Sequence, residues 1–463
     1  MSDQEESLQL KSRSLKLASV FINRNFFLLW LGQTISVSGD YVFTTTLLLW
    51  ISNQIARGYS WAPLAVSGVI LAATLPAFLF GPLAGVFVDR WNKRQTMLRM
   101  DLLRTCLILL MVPAAGVFPL PFAPDGKLPI FWQLGLMYAV TMLASVCSQL
   151  FSPARMTLIS DLVEPEERAK ATGLNQTTSR IALIFAPSLA AILLFGFGPL
   201  WAILLNAFSF FCSFLAILAV RLPEKQREVV VKPVQSVGRD FLDGLHFFRR
   251  NSILMFLLLS GILFMLGGGA LNTLYVFFVP ENLHVVPATI GLFGSVNGIC
   301  AITGAIFFTT FARRIGEARI SWISFLGMGS VILLFSRMTW LWPALLLFGL
   351  DGFFNAGLTV VVGPLMMRVT PREMLGRISA IMMPFVMVAE MVSAALSGYL
   401  VSTVLYGFHT TIAGMQFGPI DIIIAIVGLL TIGTGVYAML ALRGLPDKLP
   451  APIQQNVLLD KVG

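Results

Sequence analysis

The stretch AVSGVILAATLPAFLFGPLAGVFVDRWNKR, residues 65–94, decides the architecture. Residues 65–88 carry no charge, and then Asp89, Arg90, Lys93 and Arg94 follow within six positions. An uncharged helix of that length crosses the ~30 Å hydrocarbon core of a bilayer, which takes about 20 residues. The charged hexapeptide marks the return to water. Working outward, twelve apolar runs of spanning length appear. The first six are approximately 26–55, 63–88, 97–119, 129–152, 172–196 and 199–221. The second six are approximately 251–280, 287–312, 320–338, 340–367, 377–404 and 418–442. Composition agrees: 57% of the 463 residues are hydrophobic and 12% charged, against about 25% charged in soluble chains. A soluble globule, a disordered chain and a disulfide scaffold are excluded. The four cysteines stand singly and no Cys/His spacing suits a metal.

Twelve spans place both termini on one side. The termini and even-numbered loops hold 28 of the 32 Lys and Arg residues. The opposite loops hold Arg57, Lys127 and Arg337, and Arg180 lies inside span five. The positive-inside rule therefore puts both termini in the cytosol of a multi-pass cell-membrane protein. The basic residues serve topology and anionic headgroups, so the net charge of +9 does not imply a nucleic-acid partner. Residues 1–25 read as a cytosolic lead-in without a cleavable signal, and 443–463 as a cytosolic tail.

The longest polar stretch, 222–250, separates a six-helix bundle over 26–221 from another over 251–442. Val237, Phe241, Leu245 and Phe248 recur within it at helical spacing, predicting an amphipathic helix on the cytosolic membrane face. The halves resemble each other. Val163-Glu164-Pro165-Glu166-Glu167 precedes span five and Val369-Thr370-Pro371-Arg372-Glu373 precedes span eleven. Internal duplication of this kind is a transporter pattern.

An ionisable group at the bilayer centre costs several kcal/mol, so it asks for a reason. Asp40, Asp351 and Glu390 fall near the midplane of spans one, ten and eleven, and Arg180 about two turns into span five. These four are the candidates for proton or substrate coupling, with Arg180 expected to have an acidic partner or a polar cavity. Gln33, Ser36, Asn175, Ser179, Asn297 and Asn355 are candidate polar cavity residues. Asp101 and Arg104 read as the start of span three, within reach of cytosolic water. No Ser–His–carboxylate order, GxSxG, HExxH or phosphate-cradling loop occurs, so neither an enzyme nor an ATP-driven pump is expected.

Gly85-Val86-Phe87-Val88-Asp89-Arg90-Trp91-Asn92-Lys93-Arg94 resembles the loop 2–3 signature of the major facilitator superfamily. Asn92 stands where that family usually has glycine, and a left-handed turn there is expected to survive because Asn tolerates one. Three stretches are similar to the macrolide-efflux branch of the drug:proton antiporters: Asn23–Asp40, Phe151–Val163 and Gly238–Arg249. The resemblance implies an all-α membrane fold of two pseudo-symmetric six-helix bundles working by alternating access. It implies a monomeric exporter of an amphipathic or hydrophobic, macrolide-type solute, in contact with lipid. The proton gradient, and no cofactor, supplies the energy. Gly85, Asp89, Arg90, Lys93 and Arg94 would then form a cytosolic latch. Ala186-Pro187-Ser188-Leu189-Ala190-Ala191 lacks the glycines of the family's antiporter motif. A lipid, lysophospholipid or siderophore transporter of the same fold stays open, as does a membrane sensor or scaffold that no longer transports.

Overall fold

A computed structural model describes residues 22–116, 128–221, 251–370, 374–412 and 415–442. The expected amphipathic helix at 222–250 and the C-terminal tail lie outside them. Twelve long helices make up the described chain. In the first half they are α1 (Arg24–Trp50), α2 (Ala62–Arg90), α3 (Lys93–Leu109), α4 (Ile130–Leu162), α5 (Arg168–Ile192) and α6 (Pro199–Ala219). The second half has α7 (Ser252–Asn282), α8 (Ile290–Ile315), α9 (Glu317–Phe335), α10 (Leu341–Val369), α11 (Leu375–Tyr399) and α12 (Pro419–Ala441). A short hairpin, β1 (Thr410–Ile412) with β2 (Met415–Phe417), precedes α12.

Ten of the twelve are long and apolar enough to cross a bilayer by composition alone. The exceptions, α1 and α3, bring Gln33, Asp40, Asp101 and Arg104 into the first half.

Local chemistry sets the helix ends. The Asn92 side chain accepts from the Gln95 N–H at 3.3 Å, and Asn251 accepts from Ile253 at 3.1 Å and Leu254 at 3.3 Å. These bonds occupy amides that a helix start leaves without partners. Pro199 and Pro419 stand at first helical positions, where the missing N–H costs nothing. Asn92 has φ −71°, so the expected left-handed turn is absent there. Asn92 serves as an N-cap instead, whereas Gly316 in the corresponding turn of the second half has φ 86°.

The chain falls into two compact units. Among the described residues, the first joins 22–50 to those of 72–221, and the second joins 51–71 to those of 251–442. Inside the first, the main packing pairs are α1–α6, α3–α4, α3–α6 and α1–α5. Inside the second, the same pairs advanced by six helices recur, α7–α12, α9–α10, α9–α12 and α7–α11, together with extensive α8–α10 packing. The likeness reaches local detail. α4 and α10 carry internal prolines, Pro153 and Pro364. α5 and α11 carry Pro187 and Pro384, and both run out into a π-helical turn.

The first unit is tied together by buried charge. Asp101, wholly buried, forms an ion pair with Arg104 one turn along α3. The Ser213 hydroxyl of α6 donates to the other Asp101 oxygen at 2.6 Å. Gln33 of α1 donates through Nε2 to Ser213 at 2.8 Å, and its Oε1 accepts from Arg155 of α4 at 3.3 Å. Arg104 lies 4.4 Å from the ring centroids of both Phe151 and Phe210, and its Nη1 reaches Ser148 at 3.4 Å. Cation–π contact compensates a guanidinium that has lost its water. Sequence reading placed Asp101 and Arg104 near cytosolic water. That expectation fails because α3 begins at Lys93, several residues before the apolar run does.

The ends of this unit are also stitched. Asn23 donates to the Leu162 carbonyl at 2.7 Å and Asn25 to the Arg221 carbonyl at 2.7 Å. Arg94 donates to the Ile217 carbonyl at 3.2 Å and the Leu218 carbonyl at 2.7 Å, closing the end of α6.

Two predictions follow from these contacts. Arg104→Gln leaves Asp101 buried without its cation, which costs about 3–5 kcal/mol. Pairing it with Asp101→Asn removes the orphaned charge, so the double variant should melt above the single one in detergent. A double variant no better than the single would disprove the pairing energy. Separately, a Cβ at Gly39 would lie 2.7 Å from Ser209 Cβ and 2.9 Å from Asn206 Oδ1, while one at Gly433 meets nothing within 4 Å. Overpacking costs ~1–3 kcal/mol, so Gly39→Val should lower the apparent Tm and Gly433→Ala should not.

Candidate functional site

In the first unit, α6 presents a buried polar stripe in an otherwise apolar helix. Asn206, Ser209 and Ser213 recur at spacings of three and four, so they share one face. Ser209 donates to the Asn206 backbone carbonyl at 2.8 Å and to its Oδ1 at 3.2 Å. That commits the Asn206 oxygen, while its Nδ2, which faces Asp40 of α1, is buried with no hydrogen-bond partner among the described residues. Gly39 seats against Ser209 and brings α1 close enough for this. Asp40 is part-buried, and the charges of Arg104 and Asp101 reach it at longer range.

Depth orders these groups. Gln33 and Asp40 lie two helical turns apart on α1, about 10 Å along its axis. The Asp40–Asn206 contact therefore forms one layer, and the Gln33–Ser213–Asp101–Arg104–Arg155 chain forms the next toward the Asn92 turn.

The other expected residues of this unit behave differently. Gln33 and Ser36 are buried in helix packing. Asn175 donates to Ala171 O and Ser179 to Asn175 O, both at 3.1 Å within α5. Arg180 is exposed, and its expected acidic partner is not found among the described residues. Gly85 and the Asp89 side chain lie outside the described set. Arg90 is exposed, and Arg94 is engaged with the α6 carbonyls.

In the second unit, Asp351 of α10 faces Asn297 of α8. The Asn297 amide also donates to Phe348 O at 2.8 Å, one turn from Asp351. A Cβ on Gly352 would lie 2.9 Å from the Asn297 side chain, so the glycine permits this approach. Glu390 of α11 is part-buried, with no hydrogen bond or ion pair to another described residue. Asn355 is part-buried on α10. No described hydrogen bond or ion pair joins Asp351 to Glu390.

Sequence reading missed three features. Arg155 was counted as a loop cation because span four was ended at Ser152-Pro153, yet α4 runs through this proline to Leu162. Membrane helices tolerate proline where neighbouring groups compensate for the lost backbone bond. The Asn206–Ser209–Ser213 stripe had a readable signal in its spacing. The third is a cavity of about 1030 Å³ at one end of the second unit, lined by Asn53, Tyr59, Glu281, His284, Arg337 and Asp421 among others. Asp421 accepts from Asn282 and from the Gly418 N–H, and lies 3.8 Å from Arg337. The Arg337 guanidinium sits 3.9 Å from the Phe417 ring and so holds the hairpin to the base of α12. No cluster able to hold a metal ion occurs among the described residues.

Comparison with known proteins follows the same lines. The family model for the Major Facilitator Superfamily matches residues 29–280, more than half of the chain. The uncharacterized MFS-type transporter YkuC of Bacillus subtilis is 23% identical over 390 residues, covering 81% of this chain and 85% of its own. Macrolide efflux protein A of Streptococcus pyogenes is 25% identical over 272 residues, 58% of this chain and 62% of the relative. The putative bacilysin exporter BacE of Bacillus subtilis is 27% identical over 226 residues, 48% of this chain and 50% of that one. The chain thus spans under two thirds of both named exporters. Among solved structures, a bacterial homolog of the human lysosomal transporter Spinster matches with TM-score 0.63 at 14% identity, covering 90% of this chain and 96% of the other. A bacterial homologue of the iron transporter ferroportin matches with TM-score 0.63 at 15% identity, covering 90% and 97%. Repeated helix pairs, spanning helices and a matching family model agree: the chain is a multi-pass membrane transporter, not an enzyme, and belongs to the major facilitator superfamily.

Proposed function

We propose that this transporter exports an amphipathic or hydrophobic small molecule in exchange for protons, by alternating access. The observation that carries the proposal is Asp40, a carboxylate deep in a spanning helix, set against a buried polar stripe and within the field of Arg104 and Asp101. A carboxylate so placed serves a moving proton or ion better than it serves packing. The likeness to macrolide efflux protein A and to BacE supports export as the direction and a drug-like solute as the class.

In this reading both termini face the cytosol, and one chain is the functional unit. The halves are 26–221 and 251–442, joined by 222–250. Energy comes from the proton gradient. Asp40 is the first coupling group, with Glu390 and Asp351 behind it and Arg180 as a solvated cation of α5. Asp89 with Gly85, Arg90, Lys93 and Arg94 forms the cytosolic latch. Within it, Arg94 works by holding the end of α6.

The test uses purified protein in liposomes with a pH-sensitive dye inside and erythromycin as the probe. Substrate-dependent proton flux is expected from the wild type, and drug movement without proton flux would contradict antiport. Asp40→Asn preserves shape and hydrogen bonding but cannot titrate, so gradient-driven accumulation should be lost while the apparent Tm stays unchanged. Accumulation at the wild-type level in that variant would remove Asp40 from the mechanism and make Glu390→Gln the next variant to measure.

A further inference from the structure

Arg155 is the least compensated charge in the first unit. It lies on α4 seven residues before Leu162, about 10 Å from the helix end. A guanidinium offers five N–H donors in a fixed fork and accepts nothing. Arg155 uses one of them, from Nη1 to Gln33 Oε1 at 3.3 Å, and its Nε is buried with no acceptor among the described residues. No described carboxylate stands within ion-pair distance of it. Asp101, the buried acid on the neighbouring helix, is already taken by Arg104 and Ser213. Arg104, the other guanidinium, is near enough to repel it.

The contrast between the two arginines is informative. Arg104 has a carboxylate, a hydroxyl and two aromatic faces, although its Nε too is buried without an acceptor among the described residues. Arg155 is instead held in place and left open. Gln33 is fixed by its bond to Ser213, which aims its oxygen at one Arg155 nitrogen and leaves the rest of the fork free. The side chain is part-exposed, so a ligand can reach it. A planar fork short of acceptors and without a carboxylate partner among the described residues matches a carboxylate or phosphate.

We infer that Arg155 is a ligand-binding residue that takes an anionic group, a carboxylate or a phosphate, carried by an amphipathic molecule. This rests on the reading of the chain as a transporter of amphipathic solutes and narrows that class. Gln33 is the positioning residue, and it acts through Arg155. The neutral part of the ligand contributes apolar burial, while Arg155 supplies the discrimination between an acid and its uncharged analogue.

The experiment measures binding of matched probes to the full-length protein in nanodiscs. One pair is laurate and methyl laurate; the other is lauroyl lysophosphatidic acid and monolaurin. The wild type should favour the anionic member of at least one pair by roughly tenfold, the scale of a charge-assisted bond. Preference in the first pair alone identifies a free carboxylate, and in the second alone a lipid phosphate. Arg155→Gln should reduce the preference to less than about twofold while leaving the neutral probe's affinity unchanged, which shows that the variant is folded. Arg155→Lys should keep part of the preference, because it retains charge but not the fork. Equal binding within both pairs in the wild type, or a preference that survives Arg155→Gln, would overturn the inference. Failure of the export reading looks different: no probe moves in liposomes, yet the binding preference remains.

Discussion

The first unit depends on one interaction, the buried ion pair between Asp101 and Arg104. Two charges inside a membrane protein are tolerable only when they are paired and held by further polar and aromatic contacts. Meeting that demand recruits Ser213 from α6, Gln33 from α1 through Ser213, and Phe151 and Ser148 from α4. The pair thus sets the register of four helices at one level. The polarity of α1 and α3 is spent inside the unit, not against lipid.

The second unit repeats the packing pairs but not the chemistry. Where α3 meets α6 through charge and hydroxyl, α9 meets α12 through glycine. A Cβ on Gly329 would lie 2.6 Å from Ile432 N, one on Gly428 2.7 Å from Leu333 N, and one on Gly435 2.8 Å from Leu326. Close backbone approach, a familiar way to join helices in lipid, replaces the ion pair. The second unit keeps its buried salt bridge at its end, where Arg337 and Asp421 pin the hairpin. Two halves with recurring helix pairs therefore differ in the chemistry of their contacts. The first concentrates deep charge, and the second supplies isolated carboxylates at Asp351 and Glu390.

Much of this was legible in the sequence. Uncharged runs gave the spanning helices, and the paired proline-acid motifs gave the duplication. Midplane depth singled out Asp40 and Asp351, and both face an asparagine in the fold. The errors share a cause. Hydropathy reads a helix end wherever polarity or proline begins, but buried polarity and tolerated proline look the same in a linear sequence. That reading pushed Asp101 and Arg104 to the mouth of span three and left Arg155 outside span four. Asn92 misled for a local reason, since its side chain could cap α3 and no left-handed residue was needed.

The central claim is that Asp40 exchanges its proton for the transported solute. The most direct measurement is proton release by detergent-purified protein in weakly buffered solution when erythromycin is added. The account predicts a pH drop in the wild type that saturates with drug binding and disappears in Asp40→Asn, although that variant still binds the drug. Equal proton release from the two proteins would contradict it.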